Sequence, residues 1–529
     1  SSSLSSVGTV TNNANVTSNI DKFYALTSGD FSSSIGATAN NGGTLNLTGK
    51  DNVGIAIASG NTGTNTGTIK LTGDGSTAIY NKGTFTSTNG NIEVGNTSTR
   101  VTKGALFFND SGIITLSGTN SIYGKDGSVG VYSNGGTISQ SSLASLNIDI
   151  EDTVGTPLSS GVYIQGGANV DLSGTNTSIK VKDGLSGVVS VGATASGTAS
   201  SLNLSNATID YSGSGYAAYS DGVGKINLTG SSLHLRGNSN GFVYSSGIIY
   251  MNSSTNIYIH SNGVTLVNMI NPSSVLLSSN LQTSISSSLG GATITPDAGI
   301  DQYKLGTSDG GTLRIDANMD KYSPTVTTDG YIYSRRFLGQ RMNLTVDPSI
   351  TVTSSTDTAY ATANFNNQIS GLEMNSSSLA SSNADAQINL SANSKVIADR
   401  TDAGAGATGL FINYGTVNTN ANSTIEVEKV ANTVNDKGVG IFAVNGSVVN
   451  NDGTVDVNGN LAFGLLGMTY RVDPVTSLPV KNEFGGKVGE GTIKLNNTGT
   501  INLFSNLYSR KDNVGIYGLN NNNVTPPLA

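Results

Sequence analysis

The chain has 529 residues, a formal net charge of −8 and no cysteine, and only 12% of its residues are charged. These values argue against a nucleic-acid-binding protein, which would carry a basic stripe, and against disulfides or a thiolate metal site. Glycine is abundant (68 residues) and proline scarce (9), with enough Val, Ile, Leu and Tyr to bury, which is unlike the composition of a disordered chain.

The first segment, residues 1–40, is rich in Ser, Thr and Asn and has few apolar anchors. We expect it to form an irregular coil or a cap, because the end of a stacked repeat has an open sheet edge to protect. The chain begins at Ser1 without an initiator Met or a signal peptide, and no apolar run reaches the roughly 18 residues of a membrane helix. We therefore expect it to be a fragment of a longer, exported protein.

The segment Asn65 to Gly83 defines the repeat of the chain. A turn at Asn65-Thr66-Gly67 precedes a short alternating strand from Thr68 to Leu71. A second turn and a second strand, from Thr77 to Tyr80, complete it. The unit is too short to bury its own apolar side chains, so it must stack on copies of itself.

Two short patterns recur from residue 41 onward. The first is Asn-x-Gly-Thr followed by an apolar residue, and the second is a small residue followed by a short apolar run. The copies of the first pattern begin at Asn41, Asn65, Asn81, Asn134, Asn413, Asn451 and Asn497. Copies of the second pattern contain Gly54, Ala78, Gly130, Gly161, Gly187, Gly241, Gly263, Gly409, Gly440, Gly464 and Gly515. Asn residues at equivalent corners of stacked coils are predicted to form hydrogen-bonded ladders.

The spacing of these patterns selects one fold class. A coil of about 25 residues has room for about three short strands and their turns, whereas hexapeptide solenoids have tighter coils and leucine-rich repeats carry helices. Gly, Ser, Thr, Asn and β-branched residues all disfavour helix interiors. The sequence therefore predicts an all-β protein, a right-handed parallel β-helix, over residues 41–267.

Residues 268–345 interrupt the repeat. Prolines, aromatic residues and charged residues are all more frequent there than in the flanking segments. This change predicts one major insertion that projects from the β-helix or packs on its side. The β-helix is expected to continue over residues 346–529, with a second, smaller loop at 469–488.

The repeated Asn-x-Gly-Thr-[Ile/Val] pattern, its Gly-Ile-Tyr and Gly-Ile-Phe companions and the lack of Cys resemble the passenger regions of autotransporter (type V secretion) adhesins. The chain looks most like the large, Asn-rich outer-membrane autotransporters of fusobacteria. The resemblance covers most of the chain, apart from the insertion and the ends. It implies an extracellular segment at the cell surface of the outer membrane, tethered by a C-terminal β-barrel absent from this sequence. The partners it implies are a host cell-surface protein or glycan, or another bacterial surface.

Known β-helical enzymes require chemistry that the sequence does not display. No Gly-Asp-Ser-Gly nucleophile pattern occurs, and His234 and His260 both alternate with apolar residues, as outward-facing strand positions do. The densest early acidic group, Asp149, Glu151 and Asp152, is interpreted as a turn. Asp74 is interpreted as an Asx-turn residue rather than a metal ligand. We expect no catalytic residue, no metal and no cofactor.

The most promising binding residues lie where the repeat fails. Tyr and Arg are favoured at interfaces, and arginine meets acidic groups with two hydrogen bonds. The candidate receptor-binding residues are Tyr331, Tyr333, Arg335, Arg336, Phe337 and Arg341 in the insertion, with Tyr470 and Arg471 in the second loop. An equally simple interpretation is that the aromatic residues pack the insertion onto the β-helix while the arginines pair with Asp301, Asp316 or Asp320.

The sequence thus favours a non-enzymatic adhesin segment. It would attach to host cells or other bacteria through a protein or glycan receptor, with the β-helix as a stiff support. Two alternatives remain open at this point. One is a carbohydrate-active β-helix enzyme, a lyase or glycosidase, whose site forms only when coils stack. The other is a purely structural stalk.

Overall fold

The computed structural model of the chain describes most of its first half and separate segments of its second half. The described residues are 8–29, 36–153, 155, 158–192, 198–245, 247–261, 264–270, 274–277, 291–298, 304–307, 312–315, 319–320, 337–339, 343–354, 369–375, 387–400, 407–429, 438–444, 446–459, 462–468, 493–504 and 513–519. They form two compact units, the first comprising Ser1–Leu266 with Leu289–Ile300 and the second comprising Val267–Ser288 with Asp301–Ala529.

Every described element is a β-strand, and the strands pair in parallel with strands one coil away along the chain. In unit 1 each coil contributes one strand to each of three sheets, named A, B and C in the order in which the chain meets them. This is a parallel β-helix, so the predicted fold class and the prediction of three strands per coil are confirmed. The partners Thr62 and Thr84 are 22 residues apart and the partners Thr137 and Asn169 are 32 apart, which brackets the predicted coil length.

The strands of unit 1 are short and are ordered identically in each sheet. Sheet A contains Thr9–Asn12, Thr38–Asn41, Thr62–Asn65, Thr84–Ser87, Ile113–Leu116, Thr137–Gln140, Asn169–Asp171, Ser201–Asn203, Lys225–Asn227 and Ile248–Tyr250. Sheet B contains Asn15–Ser18, Thr44–Leu47, Thr68–Leu71, Asn91–Val94, Val101–Thr102, Thr119–Lys125, Ser145–Glu151, Thr177–Lys182, Thr208–Ser212, Ser232–Arg236, Asn256–Ile259 and Thr293–Pro296. Sheet C contains Tyr24–Ser28, Val53–Ile57, Thr77–Asn81, Ala105–Asp110, Val129–Asn134, Ser160–Gln165, Ser186–Val191, Tyr216–Asp221 and Asn240–Ser245.

Unit 2 repeats the arrangement with sheets D, E and F. Sheet D contains Ser274–Leu277, Thr312–Ile315, Asn343–Val346, Gln387–Leu390, Thr416–Thr419, Val448–Asn451 and Lys494–Asn497. Sheet E contains Met319–Asp320, Thr351–Ser354, Lys395–Arg400, Thr424–Lys429, Thr454–Asn458 and Thr500–Phe504. Sheet F contains Ile369–Asn375, Ala407–Asn413, Val439–Val444, Phe463–Met468 and Val514–Leu519. Three further strands are Thr265–Ile270, Lys304–Thr307 and Phe337–Gly339, and the last two pair with each other.

The core of unit 1 is built from apolar side chains that alternate with outward-facing polar ones. In sheet B, Leu45, Ile69 and Ile92 lie directly above one another and are fully buried. Each such side chain contributes about 1.5–3 kcal/mol when it leaves water. Since a strand alternates with a period of two, the residues next to these along each strand point to the solvent and form outward rows at the coil spacing of about 4.8 Å.

Inward-facing Asn side chains form the predicted ladders at the corners. The amide of Asn41 accepts a hydrogen bond from Asn12 and donates one to Asn65, both at 2.8 Å. At another corner the Asn81 amide donates to Asn109, also at 2.8 Å. The Asn-x-Gly-Thr pattern therefore occurs at two different corners. The chain passes from sheet A to sheet B after Asn65, and from sheet C to sheet A after Asn81.

A further Asn ladder lies on the outward face of sheet D in unit 2. Its side-chain amides donate from coil to coil over 2.7–2.9 Å. The members are Asn343, Asn389, Asn418, Asn450 and Asn496. The sequence analysis predicted ladders of this kind at corners, and here one also forms on a sheet face.

Candidate functional site: the outward face of sheet B

The outward face of sheet B in unit 1 carries two adjacent rows of charged and aromatic side chains. The first row, one residue per coil, is Tyr123, Asp149, Lys180, Asp210, His234 and Tyr258. The second row is Lys125, Glu151, Lys182, Ser212 and Arg236. We call these two rows, with Arg100, His260 and Asp297, the charged face. Strand alternation places the two rows on one side of the sheet, because their members are two residues apart.

Acidic and basic side chains of the charged face pair between coils. Arg100 contacts Asp149 at 2.9 Å, Lys182 contacts Glu151 at 2.7 Å, and the guanidinium of Arg236 contacts Asp210 at 2.9 Å. The hydrogen bond from Lys182 lowers the pKa of Glu151. Each solvent-exposed pair contributes about 0–1 kcal/mol to stability, so the pairs fix side-chain positions more than they stabilise the fold.

The interpretation of Asp149, Glu151 and Asp152 as a turn is wrong for the first two residues. Asp149 and Glu151 lie within the strand Ser145–Glu151 and point outward. Asp152, by contrast, is buried and accepts the backbone N–H groups of Leu158 and Ser159 at 2.7 and 2.9 Å. Asp149 and Glu151, separated by one apolar residue, therefore belong to the outward face of a strand. Asp152 lies directly after that strand.

The two histidines lie side by side at one end of the charged face. Nδ1 of His234 is 3.0 Å from Nε2 of His260, and Nδ1 of His260 is 2.7 Å from Oδ2 of Asp297. The His234 ring also stacks on Tyr258 with a centroid distance of 4.7 Å and an interplanar angle of 12°. Burial lowers the pKa of His234, and the neighbouring Arg236 and His260 act in the same direction.

The prediction that both histidines occupy outward strand positions is confirmed for His234, which lies in the strand Ser232–Arg236. His260 follows directly after the strand Asn256–Ile259 and continues its alternation. The contact between the two rings was not predicted from the sequence. Their positions are 26 residues apart, and only the stacking register of the coils brings them together.

A stack of aromatic rings runs along the outward face of sheet C. Tyr80, Phe108, Tyr132 and Tyr163 follow one another over four coils with centroid distances of 5.3, 4.6 and 5.9 Å. Their planes differ by 11–29°, which places ring against ring along the stack. The neighbouring rings cover the faces of Phe108 and Tyr132, so the edges of these two rings point outward. This arrangement stabilises the stack and leaves few ring faces for a sugar.

Asp74 also differs from its sequence interpretation. Its carboxylate accepts the backbone N–H of Thr102 at 2.8 Å, a bond between neighbouring coils rather than an Asx-turn. Its backbone carbonyl accepts the N–H of Asp51 from the coil on the other side. Asp74 therefore joins three coils at one corner, which a reading of Gly73-Asp74-Gly75 by itself does not reveal.

Of the predicted receptor-binding residues, Phe337 alone lies within the described part of the chain. Tyr331, Tyr333, Arg335, Arg336 and Arg341 lie outside the described residues, as do Tyr470 and Arg471 in the loop at 469–488. Phe337 begins the strand Phe337–Gly339, which pairs with Lys304–Thr307. Asp320 lies in the strand Met319–Asp320, while Asp301 and Asp316 lie outside the described residues. The proposed binding role of this group stays a prediction.

The charged face was missed by sequence reasoning, although a signal for it exists. Asp149-x-Glu151, Lys180-x-Lys182 and His234-x-Arg236 each place two titratable side chains on one face of a strand. Such a doublet in three coils out of four predicts a charged surface. Which doublet lies beside which depends on how successive coils are aligned. Because the coil length varies, this alignment cannot be derived from the residue spacing.

Comparison of the chain with protein-family models, with curated proteins and with solved structures found no match. In the described part of the chain, no helix is long and apolar enough to cross a bilayer. Within the same residues, no group of three or more His, Cys, Asp or Glu side chains is placed to hold a metal ion.

Proposed function

We propose that the chain is a surface-exposed adhesin segment that attaches to host cells or other bacteria through a protein or glycan receptor. The charged face of sheet B is the observation that carries this proposal. It presents Tyr, Arg, Lys and carboxylate groups in fixed rows over successive coils, in a chain that is otherwise poor in charge. Tyr and Arg are the residues that contribute most to protein interfaces, and the rows hold them in place before binding.

The fold supports this function through its rigidity. Inter-coil hydrogen bonds, ion pairs and the aromatic stack hold neighbouring outward side chains at the coil spacing of about 4.8 Å. A receptor with its own repeating polar groups, such as a glycan chain or an extended peptide, then meets several contacts in one register. Binding through many weak contacts on a preorganised surface loses less conformational entropy than binding by a loop.

The carboxylates of the charged face favour a binding role over glycoside hydrolysis. A glycosidase needs one carboxyl group with a raised pKa as its general acid. Asp149, Glu151 and Asp210 each contact a basic side chain, and the pKa of Glu151 is lowered. The lowered pKa of Glu151 is the opposite of what a general acid needs, and its carboxylate serves as a hydrogen-bond acceptor for Lys182.

The test is adhesion of beads coated with the full 529-residue chain to epithelial cells and to bacteria, combined with a glycan array. The variant Lys180→Ala/Arg236→Ala removes two cations from the charged face. We expect it to weaken attachment at least fivefold, since both side chains are outward and accessible. Bound glycans or receptor proteins should be lost in parallel.

The matched control is Lys50→Ala/Lys225→Ala, which removes the same charge from exposed positions outside the charged face. Attachment by this control should equal that of the unmodified chain. Equal attachment by both variants would refute the role of the charged face. Failure of the unmodified chain to attach to any surface would favour the structural stalk, and release of reducing ends or unsaturated sugars from a polysaccharide would favour the enzyme.

A further inference from the structure

The two histidines of the charged face are the only histidines in the chain, and the chain has no cysteine. They come from neighbouring coils, and their facing nitrogens, Nδ1 of His234 and Nε2 of His260, are 3.0 Å apart. Imidazole nitrogen is the protein ligand best suited to Ni²⁺, Cu²⁺ and Zn²⁺. Two such ligands held together on a stiff sheet form the beginning of a chelate.

We propose that His234 and His260 together bind a divalent transition-metal ion, Ni²⁺, Cu²⁺ or Zn²⁺, with water completing the coordination. Metal–nitrogen bonds of about 2.0–2.1 Å at a tetrahedral angle place two ligand nitrogens roughly 3.3 Å apart. The observed separation is 3.0 Å and the ring planes differ by only 4°, so the rings must move slightly apart and turn toward a common point beside the line between the two nitrogens to bind the ion. This site goes beyond the adhesin function and does not depend on it.

Asp297 prepares His260 for this role. Its carboxylate accepts a hydrogen bond from Nδ1 of His260 at 2.7 Å, which keeps the proton on Nδ1 and the lone pair on Nε2. Histidines that bind metals commonly donate their second N–H to a carboxylate in the same way. The Nε2 atom of His260 faces Nδ1 of His234, and the ion would be bound by these two nitrogens together.

His234 is prepared by its surroundings. Tyr258 stacks on the ring at a centroid distance of 4.7 Å and restricts its rotation. The ring is also half-buried between its neighbours. In the metal-free state Nδ1 of His234 donates to His260. Metal binding requires this proton to move to Nε2 of His234 through solvent, with no net release at neutral pH.

The charge around the pair favours a cation. The charged groups that act on His234 are Asp210, Arg236 and Asp297, in addition to His260. Arg236 is paired with Asp210 at 2.9 Å, whereas the carboxylate of Asp297 contacts His260 at 2.7 Å. The site thus offers two imidazole nitrogen ligands and one nearby carboxylate to a divalent ion.

The experiment titrates the untagged full-length chain with NiCl₂, CuCl₂ or ZnCl₂ by isothermal calorimetry at pH 7.5. The same measurement is made on His234→Asn, His260→Asn and the double variant. We expect one ion per chain, a loss of affinity of at least tenfold in either single variant, and no histidine-dependent binding in the double variant. A matched control is Lys225→Ala, an exposed lysine outside the charged face, which leaves both rings in place and should bind as the unmodified chain does.

Three results would overturn the proposal. The first is absence of binding by the unmodified chain at submillimolar metal, and the second is unchanged binding by the double variant. The third is a single variant that binds as tightly as the original chain, since each histidine would then act alone. Far-UV circular dichroism of every variant verifies that the β-helix is intact, so that a loss of binding reports on the ligands.

Asp297→Asn tests the positioning role of the carboxylate. Loss of such an outer hydrogen bond typically weakens metal binding about 10–100-fold, and we expect the lower end because Asn still accepts a hydrogen bond. Cu²⁺ provides an independent readout, because nitrogen hyperfine splitting in its electron paramagnetic resonance spectrum counts the bound imidazoles. Two nitrogens are expected in the original chain and one in each single histidine variant.

Discussion

The side-chain amide of Asn41 donates a hydrogen bond to the side-chain oxygen of Asn65, 24 residues along the chain and one coil away, at 2.8 Å. Both side chains are buried. The bond therefore joins two coils from the inside, where water does not compete for either group. Because Asn12 donates to Asn41 in the same way at 2.8 Å, Asn41 is the centre of a ladder of three amides.

Replacement of Asn41 by Ala should destabilise this corner by about 1–3 kcal/mol, since it leaves a buried donor on Asn12 and a buried acceptor on Asn65 without partners. Amide hydrogen exchange measures the effect locally, as faster exchange in the strands Thr38–Asn41 and Thr62–Asn65. The matched control is Asn418→Ala in the outward ladder of sheet D. Water replaces the lost partners there, so a change below about 1 kcal/mol is expected.

Replacement of Gly67 by Ala should destabilise unit 1 by about 1–3 kcal/mol or more. A Cβ atom on Gly67 would lie 2.0 Å from the carbonyl oxygen of Gly43 in the neighbouring coil, so the two backbones would have to separate. Gly155→Ala is the control, because a Cβ there would have no atom of the described residues within 4 Å. Thermal unfolding of the two variants should differ clearly, and equal midpoints would contradict the close approach of the coils.

The stability of unit 1 should fall as the pH falls below the ordinary histidine pKa of about 6.5. The pKa of His234 is lowered in the folded protein, so the unfolded chain binds a proton first and stability rises with pH in this range. The loss begins near the unfolded pKa and is complete once the folded pKa has been passed. Urea unfolding at pH 7.5, 6.0 and 5.0 measures it, and His234→Asn should remove this component.

Nuclear magnetic resonance checks the same pKa directly. With two histidines in the chain, the imidazole signals are assigned by comparison with one single variant. The His234 signals should titrate below the range of an exposed histidine. A His234 midpoint at or above 6.5 would contradict burial as the dominant influence on this ring.

The arginines of the predicted insertion remain a separate test of adhesion. Replacement of Arg335, Arg336 and Arg341 by Ala should weaken attachment without unfolding either unit, if the insertion contributes to the binding surface. Attachment of coated beads, measured beside the Lys180→Ala/Arg236→Ala variant, separates the insertion from the charged face. Unchanged attachment by the triple variant would assign these arginines to packing or to no role in binding.

The strand positions of the repeat were predictable because alternation and turn residues are local properties. The strand Thr68–Leu71 begins and ends where the sequence predicts, and the second strand extends one residue further, to Asn81. The strand Thr62–Asn65 was missed, since Thr-Gly-Thr-Asn has no large apolar residue to alternate with polar ones. Its inward Gly63 instead makes room for the side chains of Ile57 and Phe85.

The Asn-x-Gly-Thr pattern was recognised, but the sequence did not reveal that it occurs at two corners. The reason is that both corners use the same local bond. The amide of Asn65 donates to the carbonyl of Gly67 at 3.3 Å, and the amide of Asn81 donates to that of Gly83 at 3.2 Å. Identical chemistry produces identical sequence, whichever pair of sheets the corner connects.

The contacts of the charged face were beyond sequence reasoning for a different reason. His234 and His260 are 26 residues apart, whereas Asp149 and Arg100 are 49 apart and span two coils. Coil lengths that vary between 22 residues (Thr62 to Thr84) and 37 residues (Asn256 to Thr293) in unit 1 make such register assignments unreliable. A strand rich in charged residues can be recognised from the sequence. Its ion-pair partners on neighbouring coils are seen only in the structure.

The parallel stacking of unit 1 has a mechanical consequence. The hydrogen bonds between coils are directed along the stacking axis, so a pulling force along that axis loads them in line and opens the structure from an end. Release of the 24 residues between Asn41 and Asn65 would add about 80 Å of extended chain, many times the coil spacing of about 4.8 Å. Under tension the coils would therefore unfold one at a time from an end. The coils that are still folded would keep their outward rows in register.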